Sequence, residues 1–222
     1  MRELKRHGKK RNVQKMAHYG IRARKVFGVS KPDQDAIARK IGKNHALGED
    51  LWKTGFHDAR ILGMLISEAE RVTPSQMERW VKDFDNWDVC DGTCCHLFVD
   101  AAGAWEKAFA WSDRKKEFEK RAGFALAAFL GVHDKEVGDA PFRKFLGEIE
   151  RQAWDDRNFV RKAVNWALRS IGKRNLKLNR AAILCAKRIR KQEHSAAKWI
   201  AADAVRELKS EAVQRRLRRK GE

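Results

Sequence analysis

Apolar residues along the chain recur mostly every three or four positions, which is the period of an α-helix. Good helix formers dominate these segments, and alternating β-branched runs bounded by hairpin turns do not occur. A capping side chain or a proline in the first turn predicts helix starts at Ser30-Lys31-Pro32-Asp33, Thr73-Pro74 and Asp139-Ala140-Pro141. Glycines predict helix breaks at Gly48, Gly131 and Gly172. The pattern therefore predicts an all-α protein.

Two segments repeat each other at an offset of 41 residues. The matching positions are Phe118, Arg121, Ala122 and Leu126 in one copy and Phe159, Lys162, Ala163 and Ala167 in the other. Each copy follows a Trp-x-Asp element near a predicted helix start, Trp111-Ser112-Asp113 or Trp154-Asp155-Asp156. A period of about 40 residues is typical of HEAT-like repeats, whose stacked helix pairs form a superhelix with a concave inner surface. An irregular helical bundle is the alternative, because the repeat is weak in the N-terminal half.

The charge of the chain is segregated. Net charge is +19, with +10 over residues 1–31, −6 over residues 32–156 and +15 over residues 157–222. Basic ends on both sides of a mildly acidic middle suit a phosphate backbone held in a concave basic groove. Solvated tails are the alternative, above all for the run Arg215–Lys220, since terminal charge runs are often disordered.

The length of 222 residues and an apolar content of 43% suffice for one continuous core. We expect a basic N-terminal extension over residues 1–15, a single HEAT-like repeat domain over residues 16–210 and a basic C-terminal tail over residues 211–222. A monomer is the simplest form for a protein that wraps a duplex.

The sequence disfavours a membrane protein and a protein that is held together by disulfides. The longest uncharged apolar stretch, Phe124 to Val132, is far shorter than a membrane span, and no hydrophobic signal segment follows the basic N-terminus. Three of the four cysteines cluster on one predicted helix, where disulfide geometry is poor. We therefore expect a soluble cytoplasmic protein, associated with the nucleoid, that has reduced thiols and no membrane partner.

A metal centre is a weak interpretation of the cluster Cys90, Cys94, Cys95 and His96. Structural zinc usually takes two paired-ligand clusters, and no second cluster is nearby in the sequence. Walker loops, dinucleotide fingerprints, nucleophile elbows and His-Glu-x-x-His patterns are also missing. The sequence predicts no metal and no cofactor.

Trp87 and Asp91 stand four residues apart at the head of an apolar helical run, so an indole and a carboxylate share one helix face. A negative charge beside an aromatic face suits a cation, and in so basic a chain that cation is expected on a polyanion, such as a damaged base. The alternative is a structural salt bridge between Asp91 and Arg121.

Trp166 lies off the apolar stripe that runs from Val160 to Ile171. It falls instead among Lys162, Arg169 and Lys173, so a large aromatic is presented within a basic face. Burial of the indole would be favourable by roughly 2–3 kcal/mol, and stacking on a nucleotide would explain its exposure. Packing on a neighbouring helix of the repeat stack is the alternative.

Several segments resemble the DNA alkylation repair glycosylases of the AlkD type, which are built from HEAT-like repeats. The similar segments are Trp87-Asp88-Val89-Cys90-Asp91, Lys120-Arg121-Ala122 and Phe159 to Lys173, with weaker similarity in Met16-Ala17-His18-Tyr19 and Phe27-Gly28-Val29. The resemblance implies that Trp87, Asp91 and Trp166 form a cleft facing the lesion, that Arg121 supports them and that Tyr19 contacts DNA. We expect further DNA contacts from Arg22, Lys25, Lys162, Arg169 and Lys173. The chain departs from the family in its first 15 residues and in its cysteine-rich helix.

The implied chemistry suits an N3- or N7-alkylated purine in duplex DNA. Such a base is cationic and leaves neutral, so one carboxylate that stabilises an oxocarbenium-like sugar is sufficient. The sequence does not decide whether the base is extruded. A non-catalytic helical-repeat protein that binds damaged or branched DNA is the main alternative. A protein-binding adaptor is a third interpretation, which the basic C-terminal segment disfavours.

Overall fold

The structure, a computed structural model, describes residues 1–219 and is helical throughout, without a strand in that range, which confirms the predicted all-α class. The helices are α1 Arg2–His7, α2 Lys10–His18, α3 Lys31–Ile41, α4 His45–Lys53, α5 His57–Ile66, α6 Pro74–Val81, α7 Trp87–His96, α8 Ala104–Ser112, α9 Glu117–His133, α10 Asp139–Gln152, α11 Asn158–Gly172, α12 Leu176–Ile189, α13 Ser195–Leu208 and α14 Glu211–Arg219. Short 3₁₀ turns occur at Ala69–Arg71 and Phe98–Asp100. Within residues 1–219, no helix combines the length and apolar character that a membrane crossing requires.

The chain forms two compact units, an N-terminal unit of residues 1–104 and a C-terminal unit that begins at Trp105. In the N-terminal unit, α5 packs against α3, α4 and α7. One buried cluster of this unit consists of Leu4, Val29, Ile37, Leu51, Ala59, Leu62 and Ile66. Because Leu4 of α1 belongs to it, the first residues of the chain contribute to the core. The predicted boundary after residue 15 falls inside α2.

All three predicted helix starts are confirmed. The Ser30 side chain accepts a hydrogen bond from the backbone N–H of Asp33 at the start of α3. Thr73 caps α6 in the same way, with Pro74 as the first helical residue. The third helix, α10, begins at Asp139.

Two of the three predicted helix breaks are wrong. Gly172 does end α11, but Gly48 lies within α4 and Gly131 lies within α9. A Cβ atom at Gly48 would stand 2.3 Å from the Ser67 hydroxyl, and one at Gly131 would stand 3.5 Å from the backbone of Ser170. Gly48 therefore allows close helix packing, whereas the distance at Gly131 is an ordinary contact, and neither glycine ends a helix.

The 41-residue repeat corresponds to two equivalent helices of the C-terminal unit. Helices α9 and α11 pack along each other, and the rings of Phe118 and Phe159 lie 5.3 Å apart. The Trp-x-Asp elements, however, end the preceding helices and do not start the following ones: Trp111 lies in the last turn of α8, and Trp154 follows the end of α10. This placement lets the Asp155 side chain link α9 to the start of α11, because it accepts hydrogen bonds from Lys120 and Arg157.

The basic run near the C-terminus is helical as far as the structure describes it. It lies on α14, where Val213 and Leu217 are buried. The described part of this run is therefore anchored by two apolar side chains. Lys220 and the last two residues of the predicted 211–222 tail lie outside the described residues.

Candidate nucleic-acid interface

The Asn86 side chain defines the start of α7. Asn86 is buried, and its side-chain oxygen accepts hydrogen bonds from the backbone N–H groups of Asp88 and Val89 at 3.0 and 3.1 Å. Trp87 is consequently the first helical residue, and Asp91 lies one turn later on the same face. Both side chains are partly exposed. Helix α7 is short, since it ends at His96 after ten residues.

Tyr19 lies beside Trp87. It caps the C-terminus of α2, and its side chain is 68% exposed. The Trp87 indole N–H donates to the backbone carbonyl of Tyr19 at 2.9 Å. In the following segment, Arg22 and Lys25 are also exposed. The N-terminal unit therefore brings Tyr19, Trp87 and Asp91 into one region bordered by solvent.

A cavity of about 600 Å³ in the N-terminal unit lies between α2, α3, α5 and α7. Both Tyr19 and Trp87 line it. Its polar wall includes Asp88, which belongs to the segment Trp87–Asp91, and also His57 and Gln34, which the sequence analysis did not single out. Nothing in the spacing or composition marked the latter two, because the cavity depends on how four helices pack.

Trp166 is half-buried in the C-terminal unit. Its ring meets Phe129 of α9 edge to face, with centroids 4.8 Å apart. It also lines a cavity of about 460 Å³ whose cationic side chains are Lys135, Lys173, Arg174 and Arg216. Trp166 therefore packs on a neighbouring helix and also borders a basic cavity, and its stacking on a nucleotide stays a prediction.

Two of the cations predicted to bind DNA are engaged by carboxylates. Lys173 contacts Glu207 of α13 at 2.6 Å, and Arg169 hydrogen-bonds the other oxygen of the same carboxylate. Burial would raise the pKa of Glu207, but the hydrogen bonds from Lys173 and Arg169 outweigh burial and lower it. Lys162 is exposed. Arg216, which belongs to the basic run near the C-terminus, is exposed at the rim of the cavity and makes no side-chain ion pair within residues 1–219.

Arg121 is buried in α9, with 7% of its surface exposed. Its guanidinium donates to the backbone carbonyl of Phe159 at 2.6 Å, which ties α9 to the start of α11. The neighbouring Lys120 forms a buried ion pair with Asp155 at 2.9 Å. This end of α9 is therefore fixed by two charged side chains.

No group of three potential metal-ligating side chains occurs in the part of the chain that the structure describes. None of the four cysteines forms a disulfide. Burial, reinforced by the neighbouring charges of Cys94 and Asp91, raises the pKa of the Cys95 thiol. Burial also raises the pKa of Cys185 to about 12. Both thiols are therefore held in their protonated, weakly nucleophilic form.

Comparison with known proteins decides the family. The model of a family described as DNA alkylation repair enzyme matches residues 1–208. The chain belongs to this DNA alkylation repair enzyme family. Membership confirms the resemblance found in the sequence.

A solved structure shares the fold of this family member. It is described as "A new family of proteins related to the HEAT-like repeat DNA glycosylases with affinity for branched DNA structures". The TM-score is 0.75 and the sequence identity 22%, over 93% of each chain. The likeness confirms the predicted HEAT-like fold. No curated protein matches the sequence.

Proposed function

We propose that the protein is a monofunctional DNA glycosylase that removes cationic N3- and N7-alkylated purines from duplex DNA. The observation that carries this proposal is the grouping of Tyr19, Trp87 and Asp91 at the start of α7, in a chain of the DNA alkylation repair enzyme family. A carboxylate one helical turn from a partly exposed indole is suited to a positively charged base.

Asp91 has the central role in the proposed reaction. An alkylated purine already carries the positive charge that weakens its glycosidic bond, so it leaves neutral and needs no general acid. As the bond breaks, positive charge develops on the sugar. A carboxylate therefore stabilises the transition state more strongly than the ground state, and this difference lowers the barrier. Water then completes hydrolysis at the sugar carbon.

The aromatic residues hold the substrate. In the N-terminal unit, the indole face of Trp87 attracts a cationic base by roughly 1–2 kcal/mol, and Tyr19 presents a further exposed ring. In the C-terminal unit, Trp166 is a second candidate for such a contact. Arg121 acts as a positioning residue, because its bond to the Phe159 carbonyl fixes α9 against the helix that carries Trp166.

The phosphate contacts come from exposed cations. The Glu207 carboxylate that engages Arg169 and Lys173 forms no ion pair with the exposed cations Arg22, Lys25 and Lys162. In this proposal, Arg169 and Lys173 also present positive charge to the DNA, and their bonds to Glu207 fix the positions of their side chains. Binding should be steeply salt-dependent, because each phosphate contact releases condensed counterions.

The decisive experiment incubates wild-type protein and Asp91→Asn with a methylated duplex and measures released base. We expect release by wild type, loss of about 10²-fold or more in Asp91→Asn, and unchanged duplex affinity. Asp100→Asn is the matched control, since Asp100 is an exposed aspartate of the same region and should leave release unchanged.

A non-catalytic DNA-binding protein is the second candidate function, favoured by the affinity for branched DNA ascribed to the structural neighbour. If wild type and Asp91→Asn bind the duplex equally and neither releases base, the glycosylase proposal is wrong. Tighter binding of a four-way junction than of a methylated duplex would then support the second function.

A further inference from the structure

The basic cavity of the C-terminal unit, of about 460 Å³, lies between the end of α9, the end of α11 and the start of α12. Within residues 1–219 its lining contains no carboxylate and four cationic side chains, Lys135, Lys173, Arg174 and Arg216. Two other cavities of this unit, of about 630 and 610 Å³, do contain carboxylates, from Glu150 and Glu193 in one and from Asp113, Asp155 and Asp156 in the other. Of these three cavities, the basic cavity is the one that suits an anion.

Three of the four cations have no carboxylate partner in the described part of the chain. Lys135 and Arg174 donate to backbone carbonyls, and Arg216 at the rim forms no ion pair. Lys173 differs, since its ammonium contacts the Glu207 carboxylate at 2.6 Å. Lys135 and Arg216 are also exposed. An anion in the cavity would therefore supply a counter-charge that these two side chains lack among residues 1–219.

Ser170 provides a buried donor at the cavity. The residue is 5% exposed and lines the cavity, yet its hydroxyl forms no hydrogen bond to another described residue. Its oxygen keeps access to the cavity, unlike Asn165 Oδ1 on the same helix, which is sealed from solvent and has no partner within residues 1–219. Native proteins rarely leave a buried polar group without a partner. The Ser170 hydroxyl therefore indicates a group that binds in the cavity.

The start of α12 adds a partial positive charge. Asn175, the N-cap residue, lines the cavity, and its side-chain oxygen accepts from the backbone N–H of Leu178 at 2.8 Å. The Asn175 amide donates to the Asp139 carboxylate at 2.7 Å, which fixes the cap. The N–H groups of Leu176 and Lys177 precede the first internal hydrogen bond of this 14-residue helix, so they have no acceptor within it. Such a helix start stabilises an anion.

We infer that the basic cavity binds the terminal phosphate of a DNA strand. A terminal phosphate carries a charge of roughly −1.5 to −2 near pH 7 and has three free oxygens, whereas a phosphate within the backbone has less charge and a sugar on each side. Two exposed cations, a helix start and the Ser170 hydroxyl match the larger number of acceptors. Because Ser170 is buried, a group must project into the cavity to reach it, as a strand end does.

Trp166 indicates that the phosphate arrives on a nucleotide. Its half-buried ring forms part of the wall, where it would adjoin the sugar and base that carry a terminal phosphate. An aromatic ring can stack on any base. Free inorganic phosphate shares the chemistry of the phosphate group but has nothing to place on this ring. The inference goes beyond the proposed glycosylase, since it concerns a strand end and not an alkylated base.

The first measurement is Tm as a function of inorganic phosphate at constant ionic strength, with chloride as the balancing anion. A ligand that binds the folded state raises Tm, and the size of the rise gives its affinity. Ser170→Ala removes the buried hydroxyl, and Arg216→Ala removes an exposed cation without disturbing the core. Each change should weaken phosphate binding about tenfold.

Two matched controls remove the same groups elsewhere. The Ser112 hydroxyl is already bonded to the Phe109 carbonyl at 2.8 Å, and Arg215 is the neighbour of Arg216 but lies outside the cavity. Ser112→Ala and Arg215→Ala should bind phosphate as wild type does. Phosphate also stabilises proteins in general, but that effect acts equally on all variants. In chloride, Ser170→Ala should keep the wild-type Tm, whereas Ser112→Ala should lower it.

The second measurement uses fluorescence anisotropy to compare duplexes with a short gap whose 5′ end carries either a phosphate or a hydroxyl. Wild type should bind the phosphorylated gap about tenfold more tightly, and Ser170→Ala and Arg216→Ala should abolish this preference. A phosphate effect on Tm that depends on Ser170 and Arg216, without a preference for the phosphorylated gap, would overturn the strand end and assign the site to free phosphate.

The site itself is overturned if phosphate raises Tm equally in wild type, Ser170→Ala and Arg216→Ala and the two gapped duplexes bind equally. Neither measurement involves base release. A protein that releases no base from methylated duplex can therefore pass both tests, and an active glycosylase can fail both, so the two proposals stand or fall separately.

Discussion

The buried pair of Lys120 and Asp155 should be a major source of stability in the C-terminal unit. Asp155 is 1% exposed and accepts from Lys120 at 2.9 Å and from the guanidinium of Arg157 at 2.9 and 2.6 Å. The Lys120 ammonium also lies 4.9 Å from the centre of the Trp154 ring. Asp155→Asn removes the anion and leaves the buried ammonium of Lys120 without a counter-charge.

Loss of one partner of a buried pair costs about 3–5 kcal/mol. Lys120→Met should cost less than Asp155→Asn, because Asp155 then keeps its bonds to Arg157. For a protein of this size, the larger loss corresponds to a fall in Tm of roughly 6–20 °C. Calorimetric unfolding of both variants checks the order and the size.

Asp156→Asn is the matched control, since Asp156 is the next residue and is exposed. It should change the free energy of unfolding by less than about 0.5 kcal/mol. If Asp155→Asn unfolds at the same temperature as Asp156→Asn, the pair contributes nothing and the reasoning from burial is refuted.

The pair also predicts a pH dependence. Burial raises the pKa of Asp155, but hydrogen bonds from Arg157 and Lys120 outweigh burial and hold the pKa below the usual aspartate value. A depressed pKa gives stability that is complete above the unfolded value, about 3.9, and is lost as the pH falls towards the folded value. The difference in stability between wild type and Asp155→Asn should therefore be constant from pH 7 to about 5 and shrink below about 4.

Three further predictions concern packing, thiol reactivity and phosphate contact. Gly123→Ala should lower the free energy of unfolding by about 1–3 kcal/mol, because the new Cβ would lie 2.4 Å from the backbone nitrogen of Ser112, whereas Gly147→Ala has open space and should not destabilise. Cys185 should resist iodoacetamide at pH 8 in the folded protein, since burial raises its pKa to about 12, and modification at the rate of an unfolded thiol would contradict this. Arg216→Ala should reduce the slope of log affinity against log salt by about 0.9 if its guanidinium contacts one phosphate. An unchanged slope would remove Arg216 from the interface.

Local rules predicted local structure well. Ser30, Thr73 and Asp139 mark helix starts because a cap acts within one turn, and the i,i+4 relation of Trp87 and Asp91 follows from helix geometry alone. The predicted break at Gly48 is wrong because a Cβ atom at this position would collide with the end of another helix, whereas at Gly131 the structure shows no such collision. Sequence spacing carries no information on such a contact.

The candidate site was predicted only from side chains whose chemistry is conspicuous in a sequence. An indole four residues from a carboxylate is one such pattern, and the role of Trp87 and Asp91 stays a prediction. Nothing in the sequence marks His57 and Gln34, and only the packing of the helices shows that both are buried beside the cavity of the N-terminal unit. Burial and cavity lining are properties of tertiary structure.

The formal net charge overstates the number of cationic side chains that are available to contact a phosphate. Arg169 and Lys173 share Glu207, and Arg188 is held by Glu150, so part of the basic C-terminal segment is neutralised within the protein. A cation already paired with a carboxylate gains less from a phosphate, because it must give up or share that partner. Arg216 and Lys162 do not face this cost. The residues that set the salt dependence of DNA binding should therefore be these exposed cations, which form no ion pair within residues 1–219, and not the most charge-dense helices.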